Sequence, residues 1–239
     1  MSRIVVITGA SGGMGSATVE QFKSHGYVVV GVDSNPSKGE CDLFFQGDIC
    51  DEKNWSKVAR AISDKFGHVD ALVNIAGRNY LSLIESADLD QWRNMFEVNV
   101  IGMVTAIKHL KSLLDKGDAP AIVNMSSISG YIGSVGYAAY CSTKGAIDSL
   151  TKSLALELAP KIRVNAIAPG WIETPFTVEG LEKSADPVAY RRDVEAMHAL
   201  NRVGTPEEIA KSIFWMCSAD ASFMTGSVVI VDGGYMIKN

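Results

Sequence analysis

Six short runs are apolar at almost every position: Ile4-Val5-Val6-Ile7, Val28-Val29-Val30, Ala71-Leu72-Val73, Ala121-Ile122-Val123, Val164-Asn165-Ala166-Ile167 and Val228-Val229-Ile230-Val231. A strand with one wet face alternates apolar and polar residues. A strand apolar throughout is buried on both faces, which requires a parallel sheet covered by helices. The intervening segments supply helical patterns over Gly13 to His25, Glu52 to Phe66, Leu89 to Leu114, Tyr137 to Leu158 and Pro206 to Cys217. The last opens with Thr205 as N-cap, Pro206 at the first position and Glu207-Glu208 in the first turn. The alternation predicts an α/β fold: a doubly wound, mainly parallel β-sheet flanked by helices, as a single domain over residues 1–239. The one long stretch without a strand pattern, about 171–202, is polar and holds Pro175, Gly180 and Pro187. Such a length marks it as a substrate-binding lid.

Composition removes other classes. Apolar residues at 47% and charged residues at 21% exclude a disordered tail and a disulfide scaffold. Twenty-two Lys and Arg against 27 Asp and Glu give a net charge of −5, without the basic excess that nucleic acid or an anionic membrane requires. The expected partners are a small molecule and further copies of the chain. Cys41, Cys50, Cys141 and Cys217 form no CxxC pair and have no zinc-ligand spacing, so no metal is expected. With no apolar stretch of membrane-span or signal length, the expected setting is cytoplasmic.

The first strand runs into Thr8-Gly9-Ala10-Ser11-Gly12-Gly13-Met14-Gly15 and then into a helix. Glycines let the backbone turn tightly and approach an anion, and a helix N-terminus offers N–H groups and a positive dipole end to phosphate. The spacing is neither a P-loop, since Ser16 stands where a lysine is needed, nor GxGxxG. The second strand ends at Asp33, where a carboxylate accepts hydrogen bonds from an adenosine ribose and repels a 2′-phosphate; this selects NAD over NADP. In Tyr140-Cys141-Ser142-Thr143-Lys144 the tyrosine and lysine share a helical face. The Lys144 ammonium, together with the positive nicotinamide of an oxidised cofactor, is therefore expected to ease ionisation of the Tyr140 phenol and to make it a proton-exchanging group. Tyr137 has only Cys141 at the same spacing.

These motifs, with Asp48-Ile49, Asn74-Ile75-Ala76-Gly77, Asn99, Ser127, Asn165 and Pro169-Gly170 in order, resemble the short-chain dehydrogenase/reductase family over the whole chain. The resemblance implies a Rossmann-type sheet with the dinucleotide at the carboxyl ends of its strands. It implies Tyr140 as general acid/base, Ser127 on the reacting oxygen, Lys144 on the nicotinamide ribose and Asn99 anchoring a water. Ser126 and Ser129 compete for the serine role, with family spacing favouring Ser127. Gly9, Ser11, Gly13, Met14 and Gly15 would hold the pyrophosphate side. Asp48 and Ile49 would flank the adenine, Asn74, Ala76 and Gly77 the cofactor's middle, and Pro169, Ile172 and Thr174 its nicotinamide end. By the same resemblance the helices at 89–114 and 137–158 form a dimer, and the C-terminal strand a tetramer.

Two departures stand out. Asn74-Ile75 replaces the usual Asn-Asn, and only fourteen residues separate Asp33 from Asp48, so a loop is expected over Ser34 to Cys41 in place of a helix. That shortening resembles relatives that oxidise dihydroxy-cyclohexadiene carboxylates. Arg78, following Gly77, is a candidate for a substrate carboxylate or a place beside the nicotinamide, with a surface arginine as the alternative. Arg191 and Arg192 are candidates to meet an acidic substrate, against a solvent-facing pair. Ser129 is a further substrate candidate; Tyr80, Trp171, Phe176 and Met197 are candidate pocket walls, and His198 is the histidine nearest the lid. The reading is an NAD-dependent oxidoreductase moving a hydride between the nicotinamide and a secondary alcohol or ketone, cyclic or carboxylated. The alternative outside enzymology is an NAD-binding redox sensor without turnover; nucleotide-sugar chemistry lacks the length for a sugar domain.

Overall fold

The computed structural model describes residues 2–38, 41–175, 177–178 and 186–238. Its strands are β1 (Ile4–Thr8), β2 (Val28–Asp33), β3 (Leu43–Gln46), β4 (Ala71–Asn74), β5 (Ala121–Met125), β6 (Arg163–Pro169) and β7 (Val228–Val231). All pair in parallel in the order β3-β2-β1-β4-β5-β6-β7. The helices are α1 (Gly13–Ser24), α2 (Glu52–Lys65), α3 (Leu89–Phe96), α4 (Gly102–Leu114), α5 (Ala138–Leu158), α6 (Pro187–Ala196) and α7 (Pro206–Cys217).

The two-residue period of a strand divides the core. Val5 and Ile7 of β1 join Val29, Val73 and Val123 under Phe22 of α1 and Ile213 and Met216 of α7. Ile4 and Val6 point the other way, with Val30, Leu72 and Ile122, toward Trp55 and Val58 of α2, Leu110 of α4 and Ile147 of α5. Each fully buried aliphatic side chain contributes about 1.5–3 kcal/mol, so the apolar runs specify both layers at once. The strand order reverses direction between β1 and β4, and a doubly wound sheet opens a crevice at that point, outside the strands' carboxyl ends.

Three elements differ from expectation. β3 was not among the expected strands: its Leu43-Phe44-Phe45 are only half-buried on the sheet edge, and the element is four residues long. The segment 89–114 is interrupted at Glu97–Ile101 by a π-helical turn that carries Asn99. The segment expected to form a lid contains a helix, α6, opened by Asp186, whose side chain accepts from Ala189 N, and by Pro187. Ser34–Lys38 form no helix, as the short connection requires. Phe176 and Gly180 of the lid lie outside the described residues.

Candidate active site

At the crevice, β1 delivers the glycine turn. Gly9 has a φ of +70°, and a Cβ there would come within 2.9 Å of Ala76 in the turn after β4. The Thr8 hydroxyl accepts from Ile75 N at 3.1 Å and Ala76 N at 3.2 Å, tying the two turns together. The first bond of α1 runs from Ser16 N to Gly12 O, which leaves the N–H groups of Gly13, Met14 and Gly15 ahead of it. No side chain caps this end, whereas Asp51, Asp88, Asp186 and Thr205 close α2, α3, α6 and α7. Over the turn lies the base of the lid: a Cβ on Gly13 would be 3.1 Å from Pro175 and 3.3 Å from Thr174. Glycines beneath a roof, with an open helix dipole, fit a dinucleotide's pyrophosphate.

Asp33, at the tip of β2, straps this turn in place. Its Oδ2 accepts from Ser11 N at 2.9 Å, and its Oδ1 from Asn35 N at 2.8 Å and Asn35 Nδ2 at 3.2 Å. Ser11 Oγ also donates to Pro36 O, so the loop that replaces the helix folds back on the glycines. A carboxylate has about four acceptor positions, leaving one for a ribose hydroxyl. On the adenine side Asp48 is exposed, its Oδ1 taken by Cys50 N at 2.8 Å, and Ile49 is buried beside it. Asn74, expected to line the cofactor, instead turns into the sheet, where its Nδ2 donates to Asn124 Oδ1 and Asn124 in turn to Thr151. Its Oδ1 is buried without a partner. Gly77 packs on Asn99 Oδ1, 3.2 Å from where a Cβ would stand. Pro169 ends β6, and Ile172 makes a bridge to Gly204.

The second half of the site lies on α5. Lys144 is buried, its Nζ donating to the Met125 carbonyl at 2.8 Å and lying 5.3 Å from the centroid of the Tyr140 ring. The Ser127 side chain faces the Tyr140 phenol and favours its ionised form. Ser126, the competing serine, is committed elsewhere: its hydroxyl donates to Asp148 Oδ1 at 2.5 Å. The Ser127 hydroxyl also accepts from Ser129 N at 3.2 Å, which fixes the turn. Asn99 holds the ensemble from the side. Its Oδ1 accepts from Arg78 N at 2.8 Å, and its Nδ2 donates to Arg78 O at 3.0 Å and Thr143 Oγ1 at 3.1 Å. Thr143 Oγ1 then donates to Tyr140 O.

Burial pushes the Tyr140 phenol up to about 12, with Ser127 acting in the opposite direction. Burial also pulls Lys144 down to about 8, with Asp148 opposing. For both groups burial is the largest influence, since it disfavours the charged form.

The substrate candidates separate. Arg78 is partly buried, and its guanidinium donates to two neutral amides of α3, Asn94 Oδ1 at 2.7 Å and Gln91 Oε1 at 3.0 Å. Arg191 is neutralised within the lid by Glu173 at 3.1 Å and Glu195 at 3.0 Å, which removes it as a free anion site. Arg192 is exposed beside Asp193. Trp171 stacks edge-on against Tyr190 of α6, in lid packing. His198 is fully buried, its Nδ1 paired with Val194 O at 2.8 Å and its ring against Tyr235, so it serves the lid's junction with the C-terminal turn. The residue that sequence reasoning missed is Asp148; its signal is the step of four that continues Tyr140 and Lys144 along α5.

Comparisons with known proteins bear on the family and the fold. A family profile described as enoyl-(acyl carrier protein) reductase matches residues 9–236. The chain is 36% identical to an uncharacterized short-chain type dehydrogenase/reductase of Sinorhizobium fredii, over 99% of this chain but only 44% of that longer protein. It is 32% identical to the NADP-dependent (R)-specific alcohol dehydrogenase of Lentilactobacillus kefiri, covering 98% of this chain and 96% of that one. It is also 32% identical to trans-4-hydroxycyclohexanecarboxylate dehydrogenase of Sinomonas cyclohexanicum, covering 99% and 94%. Among solved structures, ligand-free aldohexose dehydrogenase of Thermoplasma acidophilum superposes with a TM-score of 0.95 at 32% identity, over 100% of this chain and 95% of that one. With the profile covering residues 9–236 and relatives at 32% identity matched over nearly their whole length, the chain belongs to the short-chain dehydrogenase/reductase family.

Proposed function

We propose that this protein is an NAD-dependent oxidoreductase that interconverts a secondary alcohol and a ketone. The observation that carries the reading is the contact of the Tyr140 phenol with Ser127, beside the buried Lys144. Bound in the crevice, the dinucleotide supplies the hydride-accepting ring and, when oxidised, a positive charge. The chain's residues do the rest. Ser127 orients the reacting oxygen, Tyr140 exchanges the proton with it, and Lys144 holds positive charge next to the phenol. Asn99 fixes the Arg78 loop and the α5 backbone around them.

Support for NAD comes from Asp33, a buried carboxylate with no ion-paired lysine or arginine among the described residues; a 2′-phosphate would meet uncompensated negative charge. The Lentilactobacillus relative is NADP-dependent by name, so the comparison of both cofactors is the direct test. Support for a cyclic, carboxylated substrate comes from the Sinomonas relative and from Arg78, whose guanidinium is paired, among the described residues, with the neutral amides of Asn94 and Gln91. Oxidation rates with NAD and with NADP over cyclic and acyclic secondary alcohols, with and without a carboxylate, test the reading. A preference of tenfold or more for NAD and for the carboxylated cyclic alcohols is expected; preference for NADP contradicts the Asp33 argument, and cofactor binding without turnover on the whole panel contradicts the enzyme reading. We read the working form as a homodimer or homotetramer, supported by the exposed Ile101, Val104 and Leu156 on the segments 97–114 and α5. A monomer mass by light scattering contradicts it. The four cysteines form no disulfide among the described residues, which suits a reducing, cytoplasmic setting.

A further inference from the structure

Three consecutive residues at the end of β5 each grip one residue of α5. The Met125 carbonyl takes the Lys144 ammonium, the Ser126 hydroxyl binds Asp148 Oδ1 at 2.5 Å, and the Ser127 side chain faces the Tyr140 phenol. Tyr140, Lys144 and Asp148 are four apart in turn and so line one face of the helix. Two of the grips hold groups of the proposed reaction, and the third holds a carboxylate that is only 7% exposed. A buried carboxylate is costly, and the fold makes room for this one: a Cβ on Gly130 would lie 2.7 Å from Asp148 Oδ2. An apolar residue would fill the space at lower cost.

We propose that Asp148 is a positioning residue of the active site. By holding Ser126 it keeps Met125 and Ser127 in register with Lys144 and Tyr140, and its charge favours the ammonium form of Lys144. Lys144 is faced by Tyr140 and Asp148 of its own helix. Asp148 is faced by Lys144 and Lys152 of α5, by Ser126 just after β5 and by Tyr131 from the turn packed against it. Burial raises the Asp148 carboxyl while Ser126, Lys152 and Lys144 pull it down.

The proposal rests on the dehydrogenase reading for its turnover arm only. Three variants separate geometry from charge: Asp148→Asn keeps the acceptor and loses the charge, Ser126→Ala loses the bond and keeps the charge, and Asp148→Ala loses both. NADH and NADPH affinity against pH, read by nucleotide fluorescence, needs no substrate. There the alkaline loss of affinity that follows Lys144 is expected to move down by about one pH unit in Asp148→Asn. With the best alcohol, Ser126→Ala and Asp148→Ala are expected to lose about tenfold in kcat with KM within about twofold, while Asp148→Asn retains kcat at pH 6.5. An unshifted affinity profile in Asp148→Asn, or kcat per folded molecule unchanged in Ser126→Ala with only the melting temperature lowered, overturns the proposal. If Asp148→Ala does not fold, the other two variants decide. A wild-type chain that binds reduced nucleotide yet oxidises no alcohol counts against the dehydrogenase reading, and the affinity profile still decides the role of Asp148.

Discussion

Gly15 shows how narrow the site's tolerance is at single residues. A Cβ there would sit inside the van der Waals shell of the Gly9 carbonyl oxygen, backbone that has nowhere to go. Gly15→Ala is therefore expected to weaken NADH binding by more than tenfold in a fluorescence titration; wild-type affinity in a folded variant would show that the turn does not hold the cofactor. Arg78 carries a second prediction. Replacing it by Gln removes a charge-assisted hydrogen bond of about 1.5–3 kcal/mol, so KM for carboxylated alcohols should rise at least tenfold while KM for neutral ones stays level. Equal effects on both would make Arg78 a strut between Asn94, Gln91 and Asn99 alone. Tyr140 and Lys144 were legible because their relation is local, four positions on one helix. The height of the Tyr140 pKa was not, because desolvation depends on everything packed around the ring. Asp148 offered only the step of four along α5, and its link to β5 stayed hidden because its partner, Ser126, lies 22 positions away.

Among the elements, α1 and α7 use their amino ends in opposite ways. α7 closes its own with a capping box, in which Thr205 accepts from Glu208 N and Glu208 Oε2 accepts from Thr205 N at 2.9 Å. Thr205→Ala should cost about 1 kcal/mol and lower the melting temperature by about 2–4 °C. The Arg202 hydrogen bond and Thr205 N hold the Glu208 carboxyl down to about 2 from an ordinary 4.5. A depressed carboxylate stabilises the fold above its unfolded value and loses that contribution as pH falls from 4.5 through about 2. Glu208→Gln is thus expected to melt below wild type at pH 7 and level with it near pH 2; because the pair is partly exposed, the gap should shrink in 1 M salt. An equal gap at both pH values would assign the loss to packing. Helix α7 was readable from these same capping residues. Helix α6 carries Asp186 and Pro187 at its start too, yet its largely polar body, with Val194 buried, gave no apolar stripe to read. β3 escaped for the complementary reason, as a short edge strand that needs only one buried side.

For the whole molecule, the apolar runs sufficed to define the sheet because burial on both faces leaves few architectures open. The crevice then follows from strand order, and its contents from which side chains stand at the carboxyl ends of β1, β2, β4, β5 and β6. What the chain's pattern did not reveal is how charges are shared once elements meet: Arg191 is absorbed by Glu173 and Glu195, while Arg78 keeps neutral company. The central claim is that this assembled site moves a proton through Tyr140 during oxidation of a bound alcohol. Single-turnover absorbance at saturating NAD and alcohol tests it most directly, comparing wild type with Tyr140→Phe. Formation of NADH should slow by about 10²–10⁴-fold in the variant with its NADH affinity unchanged; a variant that forms NADH within twofold of the wild-type rate would contradict the account.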